Sequence, residues 1–165
     1  MRITSASFAL LVTLSLTSLG ACQNTVPLQG KATTAPVVFV CEHGNVKSLI
    51  SASLFNRAAK EQGLPFRAVS RGVNPEASVP PKIADALRSE GIDVAGFKPQ
   101  PLTARDVSEA SRVIAIGVDL SSFKGEARVP IESWADVPPA SVDYAASRTA
   151  LLRHIGVLLE QLRAN

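Results

Sequence analysis

The chain has 165 residues, 46% of them hydrophobic, and a formal net charge of +3. That length supports one compact domain with a real core and excludes two of ordinary size. Lysine and arginine are scattered without a basic block, so charge gives no case for nucleic acid binding.

The chain begins "MRITSASFALLVTLSLTSLGAC", with a basic residue (Arg2), an apolar core over residues 8–16 and small residues before a cysteine. This is the layout of a secretory signal. The core is too short for a spanning helix, which takes about 20 predominantly apolar residues. The ending "LGAC" resembles a bacterial lipobox, and the resemblance implies a signal over residues 1–21 and a lipid-modified Cys22 as the mature N-terminus. Gln23, in place of aspartate, then implies the periplasmic face of a Gram-negative outer membrane. The alternative is an ordinary secreted protein cleaved near Ala21. Residues 22–35 are polar, small and aperiodic, which suits a flexible tether. The folded domain is therefore expected over residues 36–165. With Cys22 lipidated, Cys41 has no intramolecular partner, and an unpaired thiol in an exported chain is a candidate reactive group.

"VVFV", residues 37–40, is a β-branched apolar run that suits a strand buried on both faces. Helical spacing follows in "SLISASLFNRAAKEQG", with Gly63 as its stop. "FRAVSRGV" alternates and ends in a turn at Gly72, giving a second strand. Pro80 and Pro81 open a helix that stops at Gly91. "SRVIAIGVD" is a third strand; "ARVPIESW", residues 127–134, is a fourth, which Pro130 restricts to an edge or a strand end. Residues 141–162 form a long amphipathic helix with Tyr144, Leu151, Leu152, Ile155, Leu158, Leu159 and Leu162 on one side. Strands alternating with helices predict an α/β domain of three layers, a four-stranded parallel sheet with helices on both faces. Ligands bind such sheets at the carboxyl ends of the strands, where Cys41 falls.

Between the first strand and helix lies "CEHGNVKS", Cys41 to Ser48. A strand, a tight turn at Gly44 and a helix N-terminus aim several backbone N–H groups into one concavity, which attracts an anion. The same field, and the cation of Lys47, favours a thiolate at Cys41. Such a thiolate beside a bound oxyanion is a nucleophile directed at its central atom. Ser48 is placed to donate to the thiolate or the anion. The expected phosphate-binding set is Glu42, His43, Gly44, Asn45, Val46, Lys47 and Ser48.

Cysteine, five residues, a cation and a serine after "VVFV" resembles the phosphate loop of the low-molecular-weight protein tyrosine phosphatases and the related thioredoxin-coupled arsenate reductases. The family pattern is C-x5-R-[ST]; here it reads Cys41, "EHGNV", Lys47, Ser48. The likeness extends through Ser70 and Gly72 of "FRAVSRGV", the proline-led helix with "GID", "SRVIAIGVD" and Trp134, and covers about residues 36–162. It implies a phosphomonoester hydrolase with Cys41 as nucleophile, Lys47 and the loop amides on the phosphate, and no metal or cofactor. Its partners would be a phosphorylated protein or a small oxyanion, with the membrane reached through the N-terminal lipid. For the general acid the family has an Asp-Pro pair, and "WADVPPAS" offers Asp136 with Pro138 one position late. Lysine replaces the family's arginine and keeps the charge without the planar fork, a loss of about 10²- to 10³-fold if comparable to one strong oxyanion donor. No cysteine follows Cys41, which disfavours a thioredoxin-coupled reductase, and Val46 replaces the second loop cysteine of many phosphatases. A non-catalytic oxyanion-binding module and a reductase using a small external thiol stay as alternatives. Trp134 is expected to pack in the core, and His154 is assigned no role. Residues 74–79 and 119–126 are expected to border the cleft and carry no cluster that names a substrate.

Overall fold

In the computed structural model, which describes residues 35–164, strand β1 (Val37–Cys41) is buried along its whole length. The expected signal, Cys22 and all but the last residue of the tether lie outside the described residues. β1 is flanked by β2 (Ala68–Gly72) on one side and β3 (Arg112–Ala115) on the other, and β4 (Ile131–Ser133) closes the far edge. All three pairings are parallel, in the order β2-β1-β3-β4. Pro130 immediately precedes β4, which is the edge strand its missing N–H allows.

Alternation along β1 sorts its side chains onto two faces. Val37 and Phe39 join a large core built with helices α1 (Lys47–Glu61), α2 (Pro81–Ser89) and α4 (Tyr144–Arg163). Val38 and Val40 join a smaller one with Leu102, Val107, Val113 and Leu120. The second face is thus covered by the five-residue helix α3 (Ala104–Ser108) and a 3₁₀ turn over Ser121–Phe123. The expected three layers are present, but unequally thick.

α3 falls in a stretch to which the sequence pattern assigns no element. Thr103 accepts from Asp106 N–H at 3.1 Å while the Asp106 carboxylate accepts from Thr103 N–H at 3.0 Å, a reciprocal capping box. Arg71, in β2, is 2.7 Å from the Asp106 carboxylate. Burial opposes ionisation of Asp106, yet these donors hold its pKa below the usual carboxylate range.

α4 starts at Tyr144 rather than residue 141, because Val142 and Asp143 N–H both turn back to the Pro139 carbonyl and Asp143 caps the helix through Ala146 N–H. Five of the expected apolar side chains, Leu151, Ile155, Leu158, Leu159 and Leu162, are buried, whereas Leu152 is exposed. Glu90, at the end of α2, ties the layer together. Its carboxylate accepts from Tyr144 Oη at 2.7 Å and from Arg148 Nε at 2.8 and 2.9 Å, and lies 3.3 Å from Arg57 Nη2 of α1. Burial raises its pKa, but these three donors outweigh it and the net shift is downward. Burial and the Glu90 partner push the Tyr144 phenol upward.

Candidate active site

Cys41 ends β1 at the carboxyl edge of the sheet, buried and unpaired. Its Sγ lies 3.0 Å from Ser48 Oγ in the first turn of α1. Ser70 Oγ, from β2, is 2.8 Å from Ser48 Oγ and 3.0 Å from the Gly44 carbonyl. Each hydroxyl has one proton to give. With Ser70 donating to Ser48 Oγ, the Ser48 proton is free to point at the Cys41 sulfur.

The loop between Cys41 and α1 is gripped by the segment after β2. Cys41, Glu42 and His43 carbonyls accept from Val73, Asn74 and Glu76 N–H. Asn45 is fully buried, and its Nδ2 donates to Glu76 Oε2 at 2.7 Å and to the Ser78 carbonyl at 2.8 Å. The Glu42 carboxylate accepts from Asn74 Nδ2 at 2.6 Å, and His43 Nδ1 lies 3.2 Å from the Asn74 carbonyl. Residues 74–78 therefore hold the loop in shape. Sequence reasoning assigned that stretch to the rim of the cleft, and its buttressing role had no local signal.

Gly44 takes the left-handed conformation, φ 67°, and an added Cβ there would come within 2.8 Å of Gly72 N. A Cβ on Gly72 would come within 2.7 Å of Gly44 N. Two backbones thus touch, and the serine and glycine of "SRG" serve the loop across the sheet.

α1 begins at Lys47, and its N-cap residue, Val46, supplies no side-chain bond to the first-turn N–H groups. Those donors, with the helix dipole, remain available to an anion. The Lys47 ammonium has no acidic partner among the described residues and lies against Gly117, where an added Cβ would come within 2.5 Å of Nζ.

A small cavity of about 170 Å³ opens above the thiol. One side is the loop: Cys41, Glu42, His43, Asn45, Val46 and Lys47. The other is Pro139, Ala140 and Ser141, ahead of α4. All but Gly44 and Ser48 of the expected set line it, and those two support it from behind.

Asp136, the expected general acid, lies outside the cavity lining. Both of its oxygens are taken by α4. His154 Nε2–H donates to Oδ1 at 2.7 Å and Arg153 Nη2 to Oδ2 at 2.6 Å. The His154 bond first, and the Arg153 charge with it, draw the Asp136 pKa down, which favours a proton acceptor over a donor. His154 in turn stacks on Trp134 at a centroid distance of 4.6 Å. Trp134 is core, as expected, 1% exposed and packed on Phe39, with its Nε1–H on Glu132. His154, assigned no role from sequence, positions Asp136. Partners separated by a loop and two helical turns leave no pattern in the sequence.

Among the described residues no group of three or more His, Cys, Asp or Glu side chains could hold a metal ion.

Residues 36–122 match the family model described as low molecular weight phosphotyrosine protein phosphatase. No curated protein matches the sequence. Among solved structures the chain is similar to a cysteine-to-serine mutant of the YwlE arginine phosphatase with a phosphorylated active-site serine. The identity is 23% and the TM-score 0.68, over 78% of this chain and 95% of that one. It is also similar to YfkJ from Bacillus subtilis, at 22% and 0.60 over 82% and 96%. A thioredoxin-dependent arsenate reductase from Corynebacterium glutamicum matches at 20% and 0.64 over 81% and 64%. At these identities the likeness shows a shared fold.

Proposed function

Because the chain belongs to the low molecular weight phosphotyrosine protein phosphatase family, we propose that it hydrolyses phosphomonoesters of the phosphotyrosine type through a cysteinyl-phosphate intermediate. The Cys41 thiolate attacks phosphorus, an S–P bond forms, and the P–O bond to the leaving group breaks. Water then attacks phosphorus, returns the electron pair to sulfur and releases inorganic phosphate. Lys47 and the amides of residues 42–48 hold the phosphate oxygens, and Ser48 supports the thiolate. The observation that carries this reading is the Cys41 Sγ to Ser48 Oγ contact of 3.0 Å, beside an uncapped helix start and an unpaired ammonium. Hydrolysis of para-nitrophenyl phosphate by the wild type, lost in Cys41→Ser, is the expected result. Equal rates in both would end the proposal.

The lysine at position 47 and the engaged Asp136 favour a second reading, a module that binds a phosphorylated partner or an oxyanion without turning it over. Lys47→Arg separates the two, since the planar fork should raise turnover in an enzyme and create none in a binding module. Reduction of arsenate with a small external thiol would show as thiol-dependent arsenite release. For location, the "LGAC" ending supports a lipid at Cys22 and a place in the bacterial envelope. Labelled palmitate should be incorporated by the wild type and not by Cys22→Ser.

A further inference from the structure

The loop that would hold the phosphate is complete, but the wall across from it is Pro139, Ala140 and Ser141, which carries no ionisable side chain. An in-line displacement at phosphorus sends the leaving oxygen away from sulfur, so a proton for that oxygen has to come from the far side of the cavity. Besides Lys47 and Cys41, the loop's titratable side chains are Glu42 and His43, and both are held to the segment after β2. Glu42 is on Asn74 Nδ2 at 2.6 Å, and the His43 ring faces the Asn74 carbonyl at 3.2 Å and Glu76 at 3.7 Å. The Lys47 ammonium rests against Gly117. Asp136, on the chain between β4 and α4, is turned onto Arg153 and His154. Val46, Pro139 and Ala140 make the rest of the cavity wall apolar, which suits a ring or another uncharged group on the ester.

We propose that this site supplies no proton to the leaving group and therefore acts on phosphate esters of acidic hydroxyls, aryl phosphates above all, whose leaving group departs as an anion. This rests on reading Cys41 as the attacking nucleophile. In the first step the S–P bond forms and the leaving oxygen keeps the electron pair of the broken P–O bond, leaving as a phenolate that solvent protonates. An alkoxide is too basic to leave in this way. A general acid contributes typically about 10²- to 10⁴-fold, and it contributes most to the poorest leaving groups. Selectivity is then set by what the far wall lacks, and the exposed Pro139 is the position at which to restore it.

The test is kcat/KM of the full-length chain in detergent on a series of ring-substituted phenyl phosphates. Para-nitrophenyl phosphate should outpace phenyl phosphate by about 10²-fold or more, the scale of the missing acid. Pro139→Asp should close that gap by about tenfold or more, chiefly by raising the phenyl phosphate rate. Ser141→Asp is a second placement if the first does not fold. A gap below about tenfold in the wild type would overturn the proposal and leave the phosphatase reading intact, because it would show that a proton is being supplied. A gap that widens in Glu42→Gln or His43→Gln would overturn it too, by identifying the donor. No turnover of para-nitrophenyl phosphate at all would overturn both.

Discussion

Two segments meet over the Cys41 cavity, and they differ in where their bonds run. The loop from Cys41 to α1 is over-determined: backbone bonds to residues 73–76, a buried Asn45 strut, a Gly44–Gly72 backbone contact and the Ser70–Ser48–Cys41 hydroxyl line all fix it. The facing segment, from Trp134 to Ser141, is held just as firmly, but its polar bonds run away from the cavity into α4. The contrast teaches that a fold can keep the half of a site that binds an oxyanion while the other half is turned to packing. Family membership speaks for the first half; only geometry speaks for the second.

The largest effect should come from the loop side. Cys41→Ser is expected to lower turnover by about 10⁴-fold or more, the scale of losing a covalent nucleophile. A smaller loss would mean that the loop binds substrate for some other group. Gly72→Ala should cost about 1–3 kcal/mol in chemical denaturation, since its Cβ would strike backbone rather than a yielding side chain. A neutral result would show that the two strands separate easily. Glu90→Gln tests whether the facing segment depends on a well-seated α4, and should cost a similar 1–3 kcal/mol at neutral pH. Because the folded pKa of Glu90 is depressed, its stabilisation is present above the ordinary glutamate value, about 4.3, and is lost as pH falls through the folded value. The stability gap between wild type and variant should therefore narrow in acid, and a gap that stays constant would refute the ionic origin. Ser48→Ala should lower kcat/KM by about tenfold, the worth of one hydrogen bond to a charged group. Smallest of all, Asp136→Asn should change kcat/KM by less than about threefold, where a working acid would lose 10²-fold or more. This last measurement cuts most directly between the two segments.

The sheet, the loop and three of the four helices were legible because each rests on local pattern: β-branched runs, helical spacing, glycine stops, and a proline that confines β4 to the edge. α3 was missed although its Thr103–Asp106 box is a sequence signature, since five residues give no periodicity to go with it. The surroundings of Asp136 were not legible for a different reason. An aspartate near a proline is visible in sequence, but the Arg153 and His154 that capture it approach from α4, and nothing local encodes that approach. The buttress at Asn74, Glu76 and Ser78 was invisible on the same ground. Signals that live within a few residues survived the reading, and those that need two distant elements did not.

The central place of β1 also has a dynamic side. A strand paired on both edges and covered on both faces belongs to the last part of a domain to open, whereas β4 and the thin α3 layer sit where local fraying starts. The thiol hangs from the end of that most protected strand. Amide exchange at residues 38–40 should therefore track global unfolding, so that breathing at the sheet margins leaves the Cys41 backbone in place.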